Sequence, residues 1–144
     1  MATQVQSRRL LRDTKLTVTK ALPAAGASNN TGTIDLGVGP WHPEEVLIEI
    51  SIPACSGQTD TTKAVTITAQ HSSDDSSYAN LDDGTGANND VVLTTPGVAS
   101  TGAAARVATV KLPPGTKRYI QFTQAVTSGG ATLTAISVTY TVLV

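Results

Sequence analysis

Apolar residues recur at every second position through much of this chain. Residues 118–126 (RYIQFTQAV) set Ile120, Phe122 and Val126 on one side and turn Gln121 and Thr123 the other way. Residues 136–144 (ISVTYTVLV) repeat the pattern, with Ile136, Val138, Tyr140, Val142 and Val144 against Ser137, Thr139 and Thr141. A period of two is what a strand with one buried face requires. The intervening Ser128, Gly129 and Gly130 predict that the two strands form a hairpin. If uninterrupted, the nine residues of the last strand would reach about 30 Å at ~3.3 Å per residue, longer than a usual strand.

The same alternation predicts further strands at 16–22, 33–36, 45–52, 64–71, 91–94 and 106–112. Residues 45–52 (EVLIEISI) are the most apolar and belong in the middle of a sheet, with Val46, Ile48, Ile50 and Ile52 inward. Turn-forming residues separate these runs: 24–32 (AAGASNNTG), 72–77 (SSDDSS), 82–90 (DDGTGANND) and 113–116 (PPGT). About eight strands and no helical pattern predict an all-β, single-domain β-sandwich of jelly-roll type over residues 16–144, with an immunoglobulin-like sandwich as the competing topology. Residues 1–15 differ: Arg8, Arg9, Arg12 and Lys15 surround only Leu10 and Leu11, which predicts an arm at the domain edge. Such an arm can order on a partner, its arginines pairing with carboxylates and its leucines anchoring.

Composition narrows the picture. One Trp, one Phe and three Tyr leave the core of this 144-residue chain to Val, Ile, Leu and Ala, so each position stabilises less and association with other subunits is a natural remedy. Ten basic residues against eleven acidic ones, a net charge of -1, supply no field for nucleic acid or for an anionic membrane. Cys55 is the only cysteine, which excludes an intrachain disulfide and a cysteine-based metal site. No run has the length and apolarity of a signal peptide or a membrane span, so the chain is expected to be made in the cytosol and to stay soluble.

Candidate chemistry is sparse. His42 and His71 lack a nucleophile on a strand-turn-helix elbow and lack the zinc-type His-Glu-x-x-His spacing, so no catalytic residue and no cofactor are assigned and the chain is expected not to be an enzyme. Gly37 and Gly39 open like a dinucleotide fingerprint, but His42 stands where its third glycine would be and no helix follows. Asp74, Asp75, Asp82, Asp83 and Asp90 offer the hard oxygens calcium favours; their spacing does not fit an EF-hand loop, and ordinary turn chemistry explains them. Lys111, Lys117, Arg118 and Tyr119 do not make a nucleic-acid face. Trp41, in the rigid corner 37–43, reads as a lid over the end of the sandwich, with a ligand platform as the other reading.

Taken together, residues 22–37, 47–53, 65–75 and 112–120, followed by the apolar C-terminal strand, resemble the capsid cement or decoration proteins of tailed bacteriophages. The resemblance implies a virion protein on the outer capsid surface that binds the major capsid protein and ties adjacent capsomers together, commonly as a homotrimer of jelly rolls. It would need surface complementarity and no active site. On this reading Arg8, Arg9, Leu10, Leu11 and Arg12 of the arm, with Trp41, are the candidate capsid or subunit contacts. The alternative is a carbohydrate- or receptor-binding sandwich of a phage tail or surface protein, for which Trp41, Tyr78 and Tyr119 are the available aromatics.

Overall fold

The computed structural model describes residues 12–37, 46–55, 64–81, 90–92, 103–128 and 133–143. Ten strands run through them: β1 (Arg12–Ala21), β2 (Ser28–Asn30), β3 (Ile34–Asp35), β4 (Leu47–Ile52), β5 (Val65–Ser72), β6 (Ala79–Asn80), β7 (Asp90–Val92), β8 (Arg106–Lys111), β9 (Tyr119–Val126) and β10 (Ser137–Leu143). No helix occurs among the described residues. The strands form two antiparallel sheets, one of four in the order β1-β10-β4-β8 and one of six built on β2-β9-β5-β6, in which β3 also pairs with β9 and β7 with β5. The fold is an all-β sandwich.

Alternation decides which side chains meet. Ile48, Ile50 and Ile52 of β4 and Val138, Tyr140 and Val142 of β10 point inward from the four-stranded sheet; Val65, Ile67 and Ala69 of β5 and Ile120 and Phe122 of β9 point inward from the other. All are buried in one continuous core. Each buried Ile or Val contributes about 1.5–3 kcal/mol. Phe122 and Tyr140 stack across the two sheets, ring centroids 4.8 Å apart and planes 22° from parallel, worth about 0.5–1.5 kcal/mol beyond the area they bury. The most apolar strand, β4, does lie inside its sheet, between β10 and β8.

The expected hairpin between the last two strands does not form. β9 belongs to the six-stranded sheet, where it pairs with β5 from Val65↔Val126 to Ser72↔Tyr119. β10 belongs to the other, between β1 and β4. Their apolar faces meet across the core instead of lying side by side. β10 is also shorter than expected: seven residues, about 23 Å at ~3.3 Å per residue.

Two strands occupy stretches that read as loops. β2 lies within 24–32 and pairs with β9 through Ser28↔Ala125, Asn29↔Gln124 and Asn30↔Thr123. β6 follows the serine-rich turn and pairs Asn80 with Gln70 and Ala79 with His71 on β5. Backbone donors and acceptors at a sheet edge must find partners whatever the side chains are, so polar segments are recruited as short edge strands. β1 begins at Arg12, so residues 12–15, assigned to the arm from composition, run in the strand backbone; the register shifts between Asp13 and Thr17.

Candidate functional site

At one end of the six-stranded sheet, where β5 finishes and β9 begins, the chain gathers a cluster of charged and hydroxyl side chains. Arg118 Nε and Nη2 donate to Asp35 Oδ1 and Oδ2 at 2.7 and 2.6 Å, a two-pronged pair. Asp35 Oδ1 also accepts the Gly37 amide at 2.8 Å. The Arg118 guanidinium, then this amide, hold the carboxyl at about 2. Gly37 has φ +87°, in the left-handed region that glycine enters without a Cβ clash. The guanidinium also lies 4.8 Å over the Tyr119 ring.

Beside this pair, Asp75 accepts hydrogen bonds from Thr33 Oγ1 and from Tyr78 OH, the latter at 2.5 Å, and the two hydroxyl oxygens lie 2.8 Å apart. Those two donors, Thr33 first, lower the Asp75 carboxyl; burial and then Asp75 raise the Tyr78 phenol. Asp75 holds φ 58°, a conformation that aspartate tolerates better than most residues. Asp74 caps the same turn, accepting from the amides of Ser76 and Ser77 at 3.0 Å each and from Ser72 Oγ at 2.7 Å, which holds it well below the usual carboxylate range. His71 completes the cluster: its Nδ1 accepts the Lys117 amide at 3.3 Å. The carboxylates are thus engaged in fastening loop 73–78 and β3 to the end of β9. Among the described residues no group of three or more metal-ligating side chains converges, and no helix is long and apolar enough to cross a membrane.

Next to this end, the outer face of the same sheet carries a row of amides. Gln121 Nε2 donates to Gln70 Oε1 at 2.9 Å, Thr123 Oγ1 donates to the same oxygen at 3.1 Å, and Gln70 Nε2 donates to Asn80 Oδ1 at 2.9 Å. Register puts Thr66 and Thr68 beside Ala125 and Thr123 on this face. Tyr119 stands at the end of the row, one step along β9 from Gln121. Across the three rows from Gln121 to Ser28 the residues of β2, β5, β6 and β9 are uncharged, and Asp90 of β7 stands opposite Thr68 in the middle row. No protein-family model and no curated protein matches the chain.

The residues singled out from sequence fall unevenly. Arg8, Arg9, Leu10, Leu11 and Trp41 lie outside the described residues, as do His42, Asp82 and Asp83. Arg12 is the first residue of β1, its backbone opposite Leu143. Asp74 and Asp75 do sit together, as turn fasteners. Tyr78 and Tyr119 come to the same end of the molecule, joined through Asp75, Thr33, Asp35 and Arg118. Gln124, not singled out at all, is the most telling polar side chain in the core. It is wholly buried, accepts from Tyr140 OH at 2.9 Å and donates to Asn29 Oδ1 at 2.8 Å and to the Ala21 carbonyl at 3.2 Å. Its sequence signal was the period itself, since 124 falls in phase with 120, 122 and 126.

Proposed function

We propose that the protein is a structural component of a phage particle, a jelly-roll sandwich that binds the major capsid protein on the outer surface of the shell and cements adjacent capsomers, associating with itself as a homotrimer. The observation that carries this reading is the chemistry of the two outer sheet faces. On the four-stranded sheet the outward positions include Thr17, Thr19, Thr139, Ser51 and Thr109, with Thr141 buried among them, and the charged residues whose register falls on that face are Glu49, Lys111 and, opposite Leu143, Arg12. The six-stranded sheet presents the amide and threonine rows. Neutral hydrogen-bonding groups cost far less to desolvate than charges, and side chains already ordered by one another lose little entropy on binding. Such faces suit broad adhesion, and many weak contacts repeated over a shell add up through multivalency. The resemblance to cement proteins points the same way.

The experiment is to add the purified protein to particles that lack it and measure its binding by sedimentation and electron cryo-microscopy. The reading expects saturable density on the outer surface at three-fold and local three-fold positions, and free protein sedimenting at three times 14.8 kDa. Failure to bind any shell would overturn the adhesion reading; a monomer in solution that still binds would remove the trimer from it.

Tyr119 beside the Gln121–Gln70 row supports a second reading, a glycan-binding face, in which the ring would stack on a sugar and the amides would bond its hydroxyls. Glycan-array binding lost in Tyr119→Ala would establish it. One side of that ring already carries the Arg118 guanidinium.

A further inference from the structure

The contact between His71 and Lys117 depends on a single lone pair. His71 is the last inward-facing position of β5, opposite Ile120 on β9 and Ala79 on β6, and its ring is half-buried. Its Nδ1 receives the backbone N–H of Lys117 at 3.3 Å. A backbone amide can only donate, so Nδ1 must be unprotonated and the proton of the neutral ring must sit on Nε2. The amide belongs to the segment that leads from the 113–116 turn into β9, which is otherwise closed on itself, Thr116 donating from its amide and its hydroxyl to the Pro113 carbonyl at 3.2 and 2.7 Å.

We propose that His71 is a proton-operated tie: as the neutral ring it holds the Lys117 segment to the end of β5, and as the imidazolium it releases it. Protonation of Nδ1 replaces an acceptor by a donor pointing at another donor, and places a positive ring beside the Lys117 ammonium. Among the described residues the surrounding elements offer no compensation. β9 and β6 face the ring with Ile120 and Ala79. Arg118 and, on β3, Asp35 are paired to each other, while Asp74 and Asp75 in loop 73–78 are held by Ser72, Ser76, Ser77, Thr33 and Tyr78. Of these charged groups only Lys117 acts on the ring, and it acts with burial to disfavour the charged form. Release would free the segment immediately before the Arg118–Asp35 pair, so acidification would loosen the rim of charged and hydroxyl side chains at this end. The proposal stands on this contact alone and does not require the capsid reading.

The test follows the His71 ring and the Lys117 amide together by NMR between pH 8 and 4.5, in the wild-type protein and in His71→Gln, whose neutral side chain can still accept. The expected result is that the Lys117 amide signal moves with the same midpoint as the His71 ring, below 6.5, and that this movement is absent in the variant. Asp35→Asn provides the control, because its carboxylate titrates far lower and its removal should leave the midpoint unchanged. A Lys117 amide that stays put while the ring titrates, or that moves equally in His71→Gln, would overturn the proposal. Should His71→Gln fail to fold, coincidence or separation of the two wild-type midpoints decides it.

Discussion

At the scale of single residues, the buried Gln124 shows how one polar side chain specifies a joint. Both of its polar ends are satisfied, by Tyr140 from the facing sheet and by Asn29 and the Ala21 carbonyl where the chain passes from β1 to β2. Asn29 Nδ2 donates to that same carbonyl at 3.0 Å. Leaving a buried acceptor without its donor costs about 1–3 kcal/mol, whereas removing both partners together can be nearly neutral. Tyr140→Phe should therefore destabilise by about that amount, and Gln124→Leu similarly or more. The double variant should lose less than the sum of the two, measured by urea unfolding; strict additivity would show that the two side chains do not act as a unit. Two titrations also belong here. The His71 ring is shifted down from 6.5 by burial and then Lys117. The unfolded chain therefore takes up the proton more readily, so stability falls as pH drops through 6.5 and levels off below the folded value. Asp35 is shifted from 3.8 to about 2, so its contribution is present above 3.8 and is lost as pH falls towards 2. Asp35→Asn should make the acid limb of a stability-against-pH curve shallower between about 4 and 2, with Asp74 and Asp75 carrying the rest of that limb and His71 the higher-pH one.

At the scale of elements, the strands that alternate cleanly were legible in the sequence and the partnerships between them were not. Period-two apolarity depends only on which face is buried, and that assigned the inward sets of β4, β5, β9 and β10. Pairing depends on which edges satisfy one another's backbone groups, and several arrangements bury the same faces. Residues 118–126 and 136–144 illustrate the difference: Ile120, Phe122 and Val126 and Val138, Tyr140 and Val142 are buried as assigned, with Val144 outside the described residues, yet a turn-like Gly-Gly between the runs suggested pairing where the two strands belong to different sheets. β2 and β6 were hidden because their residues (SNN and AN) carry no apolar alternation. The cluster around Asp35 and Arg118 was hidden for another reason, since its members come from 33–37, 71–78 and 117–119 and meet only after the sheet has formed. A pair of substitutions distinguishes central from edge strands. Ile50, wholly buried in the middle of its sheet, should lose about 2–5 kcal/mol on truncation to Ala, through lost transfer energy and the cavity left behind. Val107 on β8 is 60% exposed, and Val107→Thr should change stability by no more than about 0.5 kcal/mol. Equilibrium denaturation of the two variants checks both, and comparable losses would mean that β8 carries a covered face.

At the scale of the whole molecule, the first and last described strands are neighbours: β1 pairs with β10 from Arg12↔Leu143 to Ala21↔Ser137, and β10 in turn carries β4 on its other side. The four-stranded sheet therefore cannot close until nearly the whole chain is present, and its centre is the final segment. Pairing over such separations makes folding slow, because loop entropy is lost before the contacts that offset it are made. It also makes the two ends of the chain unequal under truncation. Removing residues 137–144 takes away Val138, Tyr140 and Val142, the donor to Gln124 and both partners' hydrogen bonds, and the product should show no cooperative unfolding transition. Removing residues 1–11 leaves every described strand pair in place, so its denaturation midpoint should stay close to that of the full chain. That difference turns the arm into a clean probe of the proposed function. Deleting residues 1–11 removes none of the described core residues, so where the unfolding curve is unchanged a change in particle binding by the shortened protein reports on gripping and not on folding. The capsid reading expects occupancy to fall severalfold while the unfolding curve stays put. Unchanged occupancy would move the grip from the arm to the threonine and amide faces of the sheets, and a collapsed unfolding curve would show that residues 1–11 support the sandwich itself.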